Sequence, residues 1–358
     1  MNINKRVYYI NDIAKSEPNG GNKAKSDFIK VFDKMGFKEM DLSIKPQTPF
    51  FRNIIKVVLP LKLFFKCILL HKDNFLFVQI PTYSLRLYSP ILFFLKNIIN
   101  FKMIIVIHDI ERLRKIYRFS SAFLKNEDKY LEISDAIICH NKAMKNYLIN
   151  RGIAENKIFI LGIFDYILDS KNEINKATVD EKNEINIAGN LDVRRSPYVY
   201  ELLNSNIEGI KLKLYGSFYD EELVFSNKNS YMGCYPSDKI PSILTGGWGL
   251  VWDGESISSC TGSIGEYLIY INQHKVSLYI AAGLPVIIWE KAGLAEFVKE
   301  NRIGIVVSNL VTLKEEIERV SDEEYVEMVN HVLELREKLL IGGYAENVIY
   351  QVCMWLRG

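Results

Sequence analysis

Short β-rich runs alternate with amphipathic helical runs along this chain, and the alternation stops once and then starts again. Val7–Ile10, Phe37–Leu42, Phe75–Ile80, Met103–Ile107, Ala136–Cys139 and Lys157–Ile160 have strand character. Helical spacing falls between them, over Lys23–Met35, Ile54–Leu70, Pro90–Ile99, Ser121–Ile133 and Lys142–Asn150. Pro60 predicts a kink or a split in the second of these helices, because an internal proline removes a backbone donor. Strands joined through helices are βαβ units, which build a mostly parallel sheet. Residues 169–183 are polar and lack apolar periodicity. The alternation resumes with strands at Glu184–Ala188, Lys211–Tyr215, Gly249–Trp252, Pro285–Ile288 and Ile305–Val307. Helices are expected at Val199–Ser205, His274–Ala282, Leu294–Glu300, Leu313–Val320, Asp322–Leu339 and Tyr344–Trp355.

The length of 358 residues exceeds what one hydrophobic core usually supports. The pattern therefore predicts an α/β fold of two Rossmann-like lobes with parallel sheets and an interlobe cleft. The first lobe spans 1–170, a linker 171–183 and the second lobe 184–342, while a terminal helix over 343–358 is free to return to the first lobe. Ligands of such sheets meet the carboxyl ends of the strands, so chemistry is expected just after strands.

The net charge of +2 conceals a split. Residues 1–180 hold 29 basic and 18 acidic side chains, and residues 181–358 hold 16 and 25. The first half is thus expected to face something anionic. The basic residues of Arg52–Lys72 are interleaved with apolar ones, which fits either a membrane-surface element or a core helix with a solvated lysine face. No nucleic-acid motif is present. The five cysteines are widely spaced without a CxxC pair, and neither they nor the five histidines have metal-ligand spacing. Reduced thiols in a cytoplasmic protein are expected, with no metal. Met1–Arg6 is polar, so no signal peptide is expected. Lysines interrupt the longest apolar stretches, Ile54–Leu70 and Leu85–Ile107, so no transmembrane helix is expected.

Five constellations lie at expected strand ends. In Ile185–Leu191, Gly189-Asn190 closes a strand and Arg194 follows. Gly189 permits close backbone approach, and an arginine there suits a diphosphate; an ordinary turn with exposed arginines fits equally. In Gly246–Gly254, Trp252 and Asp253 land where a ligand meets the sheet, or serve as a packed Trp and a turn Asp. In Asn272–Ile287 a helix opens near His274 and ends at Gly283, which fits the left-handed position after a helix. Lys275 sits in its first turn, where free N–H groups and the macrodipole attract phosphate; a solvated lysine is the plain alternative. In Val106–Ile110 a strand ends in His108-Asp109, which offers a base for an attacking hydroxyl or a cap for the next helix. Gly20-Gly21, with Lys23 and Lys25, forms a loop able to admit an acceptor or a donor phosphate. It is neither GxGxxG nor a P-loop.

Lys275–Ile287, with its Ala-Ala-Gly-Leu-Pro-Val-Ile ending, resembles the donor-binding segment of GT-B glycosyltransferases. Asn11-Asp12, Ile107–Ile110, Ala188–Leu191, Gly249–Gly254, His274–Tyr279 and Asn301–Gly304 resemble the bacterial O-antigen β-1,6-galactofuranosyltransferases. A more distant likeness is to streptococcal glucosyltransferases that extend adhesin glycans. The resemblance implies a UDP-sugar donor, no catalytic metal or other cofactor, and inversion at the anomeric carbon. It implies Lys275 as the phosphate contact, Gly189, Asn190 and Arg194 beside the nucleotide, Asp253 near the sugar or ribose, and Ser277 and Tyr279 within the donor segment. Asp109 is the first choice of base and His108 the second. The expected reaction moves galactofuranose to a lipid-linked glycan acceptor in bacterial polysaccharide synthesis, in the cytoplasm or peripherally at the inner face of the cytoplasmic membrane. The alternatives are a UDP-glucose or UDP-galactose hexosyltransferase of the same fold, a non-catalytic nucleotide-sugar-binding subunit, and an epimerase that needs no acceptor. A homo-oligomer is compatible with all of these.

Overall fold

The computed structural model describes residues 7–11, 20–42, 49–81, 89–115, 119–168, 177–225 and 231–358. The chain divides into two compact units, one of Met1–Leu161 with Ala345–Gly358 and the other of Gly162–Tyr344.

The first unit carries six parallel strands: β1 (Val7–Asn11), β2 (Lys38–Asp41), β3 (Phe75–Ile80), β4 (Lys102–Ile107), β5 (Ala136–Cys139) and β6 (Ile158–Ile160). Their order is β2-β1-β3-β4-β5-β6. β3 and β5 are buried at every position, and β4 at all but its first, as expected of a parallel sheet covered on both faces. The helix Pro49–Cys67 runs through Pro60, so the expected split does not occur. Its buried side, with Leu59, Leu63 and Cys67, explains why. Burial of each such side chain stabilises by ~1.5–3 kcal/mol, together more than the ~3 kcal/mol cost of one internal proline. The last helix, Gly343–Trp355, packs in this unit, with Trp355 edge-on to Phe159 at 5.6 Å and Glu346 paired to Lys34 at 2.7 Å.

The second unit has its own parallel sheet: β7 (Glu184–Asn190), β8 (Lys211–Ser217), β9 (Tyr231–Gly233), β10 (Trp248–Val251), β11 (Val286–Trp289) and β12 (Gly304–Val307). The order is β12-β11-β10-β7-β8-β9. The expected strands are present within two residues at either end, whereas β9 and the short helices Glu111–Arg114 and Gly262–Tyr267 carry too few residues to show a period. Of the expected linker, 171–176 lie outside the described residues. Residues 177–183 are part of the second unit: Thr178 and Glu181 form a capping box, and the Trp248 indole donates to the Lys182 carbonyl at 2.8 Å. Among the described residues, no helix is long and apolar enough to cross a membrane.

Beside β4 lies a fully buried histidine, His140, whose Nε2 donates to the Ile107 carbonyl at 3.0 Å. Burial pushes its pKa from 6.5 down to about 4. The folded state therefore favours neutral His140; the stability this confers is present above pH 6.5 and is lost as pH falls through about 4. The expected loss is ~3 kcal/mol, and His140→Gln should show no such loss across that window. Urea unfolding of both proteins between these pH values checks this; parallel curves would remove His140 as the cause.

Candidate active site

From β7 the chain moves outward through β8 and β9, then crosses back to form β10 on the other side of β7. β7 and β10 are therefore neighbours whose following segments part in opposite directions. The carboxyl ends of such strands are where open α/β sheets bind ligands.

Three sequence constellations meet at that point. Lys275 Nζ donates to the Asp253 carboxylate at 2.9 Å and to the Trp252 carbonyl at 3.2 Å. Each of the two charged side chains is 22% exposed, so the pair is neither sealed in the core nor loose in solvent. A Cβ built on Gly189 would lie 3.4 Å from Lys275 Cε, so the lysine stem crosses just above the end of β7. Gly189 itself has φ +146°, and its partner across the β7–β8 ladder, Gly216, has φ +151°. A Cβ on Gly216 would meet the Gly189 carbonyl at 1.7 Å. Only glycine fits there, and the close approach leaves backbone rather than side chains at the strand ends.

The helix His274–Ala281 aims Lys275 at this point. Its last turn closes as a Schellman motif, with Gly283 at φ +78°, Gly283 N–H on the Ile280 carbonyl and Leu284 N–H on that of Tyr279, both at 2.9 Å. At its first turn, Gln273 makes no side-chain cap; its amide donates instead to the Leu268 carbonyl at 2.9 Å. The helix start thus presents backbone N–H dipoles beside a full positive charge, an arrangement suited to a phosphate.

Ser277 and Tyr279 are fully buried, so they orient this helix and present no surface to a ligand. Ser277 donates to the Phe164 carbonyl at 2.7 Å. The Tyr279 hydroxyl accepts the Ala188 N–H at 2.9 Å, and its ring covers Gly249, where a Cβ would come within 2.0 Å of ring carbon. Asn190 and Arg194 shape the loop after β7. The Asn190 side chain accepts the Asp192 N–H at 2.9 Å, while the Arg194 guanidinium forks onto Asp192 and holds that carboxyl's pKa down to about 2. At 86% exposure Arg194 is turned to solvent.

One residue at this edge escapes the sequence patterns. Phe218 follows β8 in the left-handed conformation, φ +64°, with its side chain 68% exposed. Bulky residues rarely adopt that conformation and persist in it only where the surroundings impose it. Here the Tyr200 hydroxyl donates to the Leu191 carbonyl and accepts the Asp220 N–H, while Tyr219 stacks on Tyr231 at 4.7 Å. The only sequence cue is an aromatic pair after Gly216-Ser217.

In the first unit, the strand ends around β3 and β4 gather a second set. His108 Nε2 donates to Gln79 Oε1 at 2.7 Å, and the Gln79 amide reaches the Lys25 carbonyl at 3.4 Å. Lys25 Nζ donates to the Pro81 carbonyl. Asp109 pairs with Arg114 at 3.2 Å. The buried Glu127 accepts the N–H groups of Glu111 and Arg112 at 2.7 and 3.2 Å, fixing the turn that follows Asp109. Desolvation raises its pKa to about 7. Gly20 and Gly21 form the 3₁₀ turn Gly20–Asn22 ahead of the helix Lys23–Lys34, where Lys23 pairs with Asp27 at 2.8 Å. Sequence position alone did not show Gln79, Arg114 or Glu127 as partners. Among the described residues, no group of three or more His, Cys, Asp or Glu side chains is placed to hold a metal ion.

Residues 7–163 match the family described as glucosyltransferase 3-like, N-terminal domain, and residues 185–352 match its C-terminal domain. The β-1,6-galactofuranosyltransferase WbbI of Escherichia coli (strain K12) is 29% identical over 97% of this chain and 98% of its own. Glucosyltransferase 3 of Streptococcus gordonii is 28% identical over 77% of this chain and 78% of its own. Among solved structures, the lipopolysaccharide outer core galactosyltransferase WaaB superposes with TM-score 0.60 at 11% identity, covering 98% of this chain and 99% of that one. Anabaena HepE, in complex with UDP and glucose, superposes with TM-score 0.59 at 10% identity, covering 97% and 99%. At such identities the superpositions establish the fold, which is GT-B. With both of the family's domains matched in order along one chain, this protein belongs to the glucosyltransferase 3-like family of glycosyltransferases.

Proposed function

We propose that the protein is an inverting, metal-independent transferase that moves galactofuranose from UDP-galactofuranose to a hydroxyl of a lipid-linked glycan. The observation that carries the proposal is the Lys275 ammonium, held by Asp253 and Trp252 at the start of a helix and beside the bare backbone of Gly189. A nucleotide diphosphate leaving group gains negative charge as its bond to the sugar breaks. A fixed cation and a row of N–H dipoles stabilise that charge, as a divalent metal does elsewhere. The donor identity is supported by the similarity to WbbI over nearly the entire chain. In the proposed step the acceptor oxygen bonds to the anomeric carbon from the face opposite the diphosphate. UDP departs with the electron pair of the broken bond, and the hydroxyl proton passes to a base. Asp109, held by Arg114 at 3.2 Å, is the proposed base, with His108 the second choice. Phe218 is the proposed stacking surface for the uracil ring.

Calorimetric titration with UDP tests the donor site. Lys275→Met is expected to weaken binding ~10–100-fold, the range of a lost charge-assisted hydrogen bond. Phe218→Ala is expected to weaken it ~10-fold, as when one aromatic–base stack is removed. Wild-type affinity in Lys275→Met would place the diphosphate elsewhere.

Activity assays with a lipid-linked acceptor address donor and metal. Transfer is expected from UDP-galactofuranose and to survive excess EDTA. Transfer from UDP-glucose or UDP-galactose alone would favour the hexosyltransferase alternative, and loss of activity with EDTA would reject the metal-independent step.

Asp109→Asn is expected to lower turnover ~10²–10⁴-fold, the usual worth of a positioned base, while UDP affinity is kept. If His108→Ala alone has that effect, the base is His108. Unaltered turnover in both removes both assignments, and absence of turnover in the wild type with UDP binding intact points to a non-catalytic subunit.

A further inference from the structure

Two adjoining helices of the first unit, Pro49–Cys67 and Ser89–Ile99, leave large apolar side chains in solvent. On the first, Val58, Leu61 and Phe65 are 52%, 51% and 65% exposed, and Leu69, just past its end, is 82% exposed. The spacing of three and four residues makes one stripe, opposite the buried Leu59, Leu63 and Cys67. On the second, Phe94 and Ile98 are 58% and 64% exposed, one turn apart, with Leu92 and Leu95 buried behind them. Isolated exposed apolar residues are ordinary, but contiguous rows on neighbouring helices mark a contact surface.

Charge identifies what that surface meets. Neither helix contains a single Asp or Glu, and Lys62 and Lys66 lie within the first helix, with Lys72 just beyond it. The unit as a whole holds 28 basic residues against 15 acidic ones. An apolar stripe flanked by lysines combines insertion between acyl chains with attraction to anionic headgroups. A second copy of the chain would set the same lysines against each other. We propose that this two-helix face docks the protein on an anionic lipid surface, with Phe65 and Leu69 entering the headgroup–acyl boundary and Lys62 and Lys66 remaining at the headgroups. The helices lie on the surface and do not cross it. The proposal does not depend on which sugar is transferred, and it uses no residue placed in the donor or base sites.

Vesicle flotation tests it, with phosphatidylcholine vesicles containing about one third phosphatidylglycerol, and with phosphatidylcholine alone. The full-length wild type is expected to float with the anionic vesicles and at least ~10-fold less with the neutral ones. The double variants Phe65→Ser with Leu69→Ser, and Lys62→Glu with Lys66→Glu, are each expected to lose at least ~10-fold in partitioning. Phe94→Ser with Ile98→Ser provides an independent pair on the second helix. Unchanged UDP affinity and melting temperature show that a variant is folded and keep this outcome separate from failure of the donor site. Wild type that stays with neither vesicle, or folded variants that float as well as wild type, overturns the proposal. So does a wild-type dimer in gel filtration that the Phe65 and Leu69 substitutions convert to monomer without altering flotation.

Discussion

One buried tyrosine organises the strand-end site of the second unit. Tyr279 sends its hydroxyl to the Ala188 N–H of β7 and lays its ring over Gly249 of β10. The helix that carries it is thereby tied to the two central strands whose following segments diverge. Lys275, one turn earlier on the same helix, is thereby carried above Gly189 and beside Asp253. Burial holds the phenol protonated far above neutral pH, so the tie persists across the working range. Any ligand chemistry at the end of β7 depends on this packing, because a lysine on a tilted helix would place its charge several ångströms away.

The same logic explains the glycines. Gly216 and Gly249 mark places where a side chain would collide with a carbonyl or a ring, and at Gly189 the Lys275 stem lies against the bare backbone. At Gly189 and Gly216 the result is an edge of bare backbone open to a ligand, and at Gly249 it is a seat for an aromatic ring. Asp253 has a comparable double character. It pins Lys275 in a defined position, and its own charge is neutralised by doing so. An anion arriving at the site meets a lysine that is already ordered, which reduces the entropy lost on binding.

In the first unit, positioning replaces concentration of charge. His108 is oriented by Gln79 and Asp109 by Arg114, while Glu127 fixes the turn between them and the next helix. The raised pKa of Glu127, to about 7, reflects how far that anchor is withdrawn from water. The exposed apolar rows on the helices Pro49–Cys67 and Ser89–Ile99 lie outside this network.

The alternation of strands and helices was sufficient to define two parallel sheets, since period and length are local properties of the chain. It was also sufficient to mark Gly189, Asp253 and Lys275 as strand-end or helix-start residues, and the family likeness follows from the same segments. Strand order was beyond its reach. The return of β10 to the side of β7 depends on long-range pairing; it brings residues 189 and 253 to neighbouring strand ends, and the packing of Tyr279 adds residue 275. Burial was equally hidden: Ser277 and Tyr279 were expected in a donor-binding segment, yet both point into the core and act through the backbone they hold. Phe218 had no signal beyond its neighbours, because its left-handed backbone belongs to a turn whose hydrogen bonds, such as that of the Asp220 N–H to Tyr200, come from residues distant in sequence. Local propensity thus determined the elements and the residue types at their ends. Only tertiary packing decided which ends meet, because that choice is made by side chains distant in sequence and a core that accommodates a single arrangement.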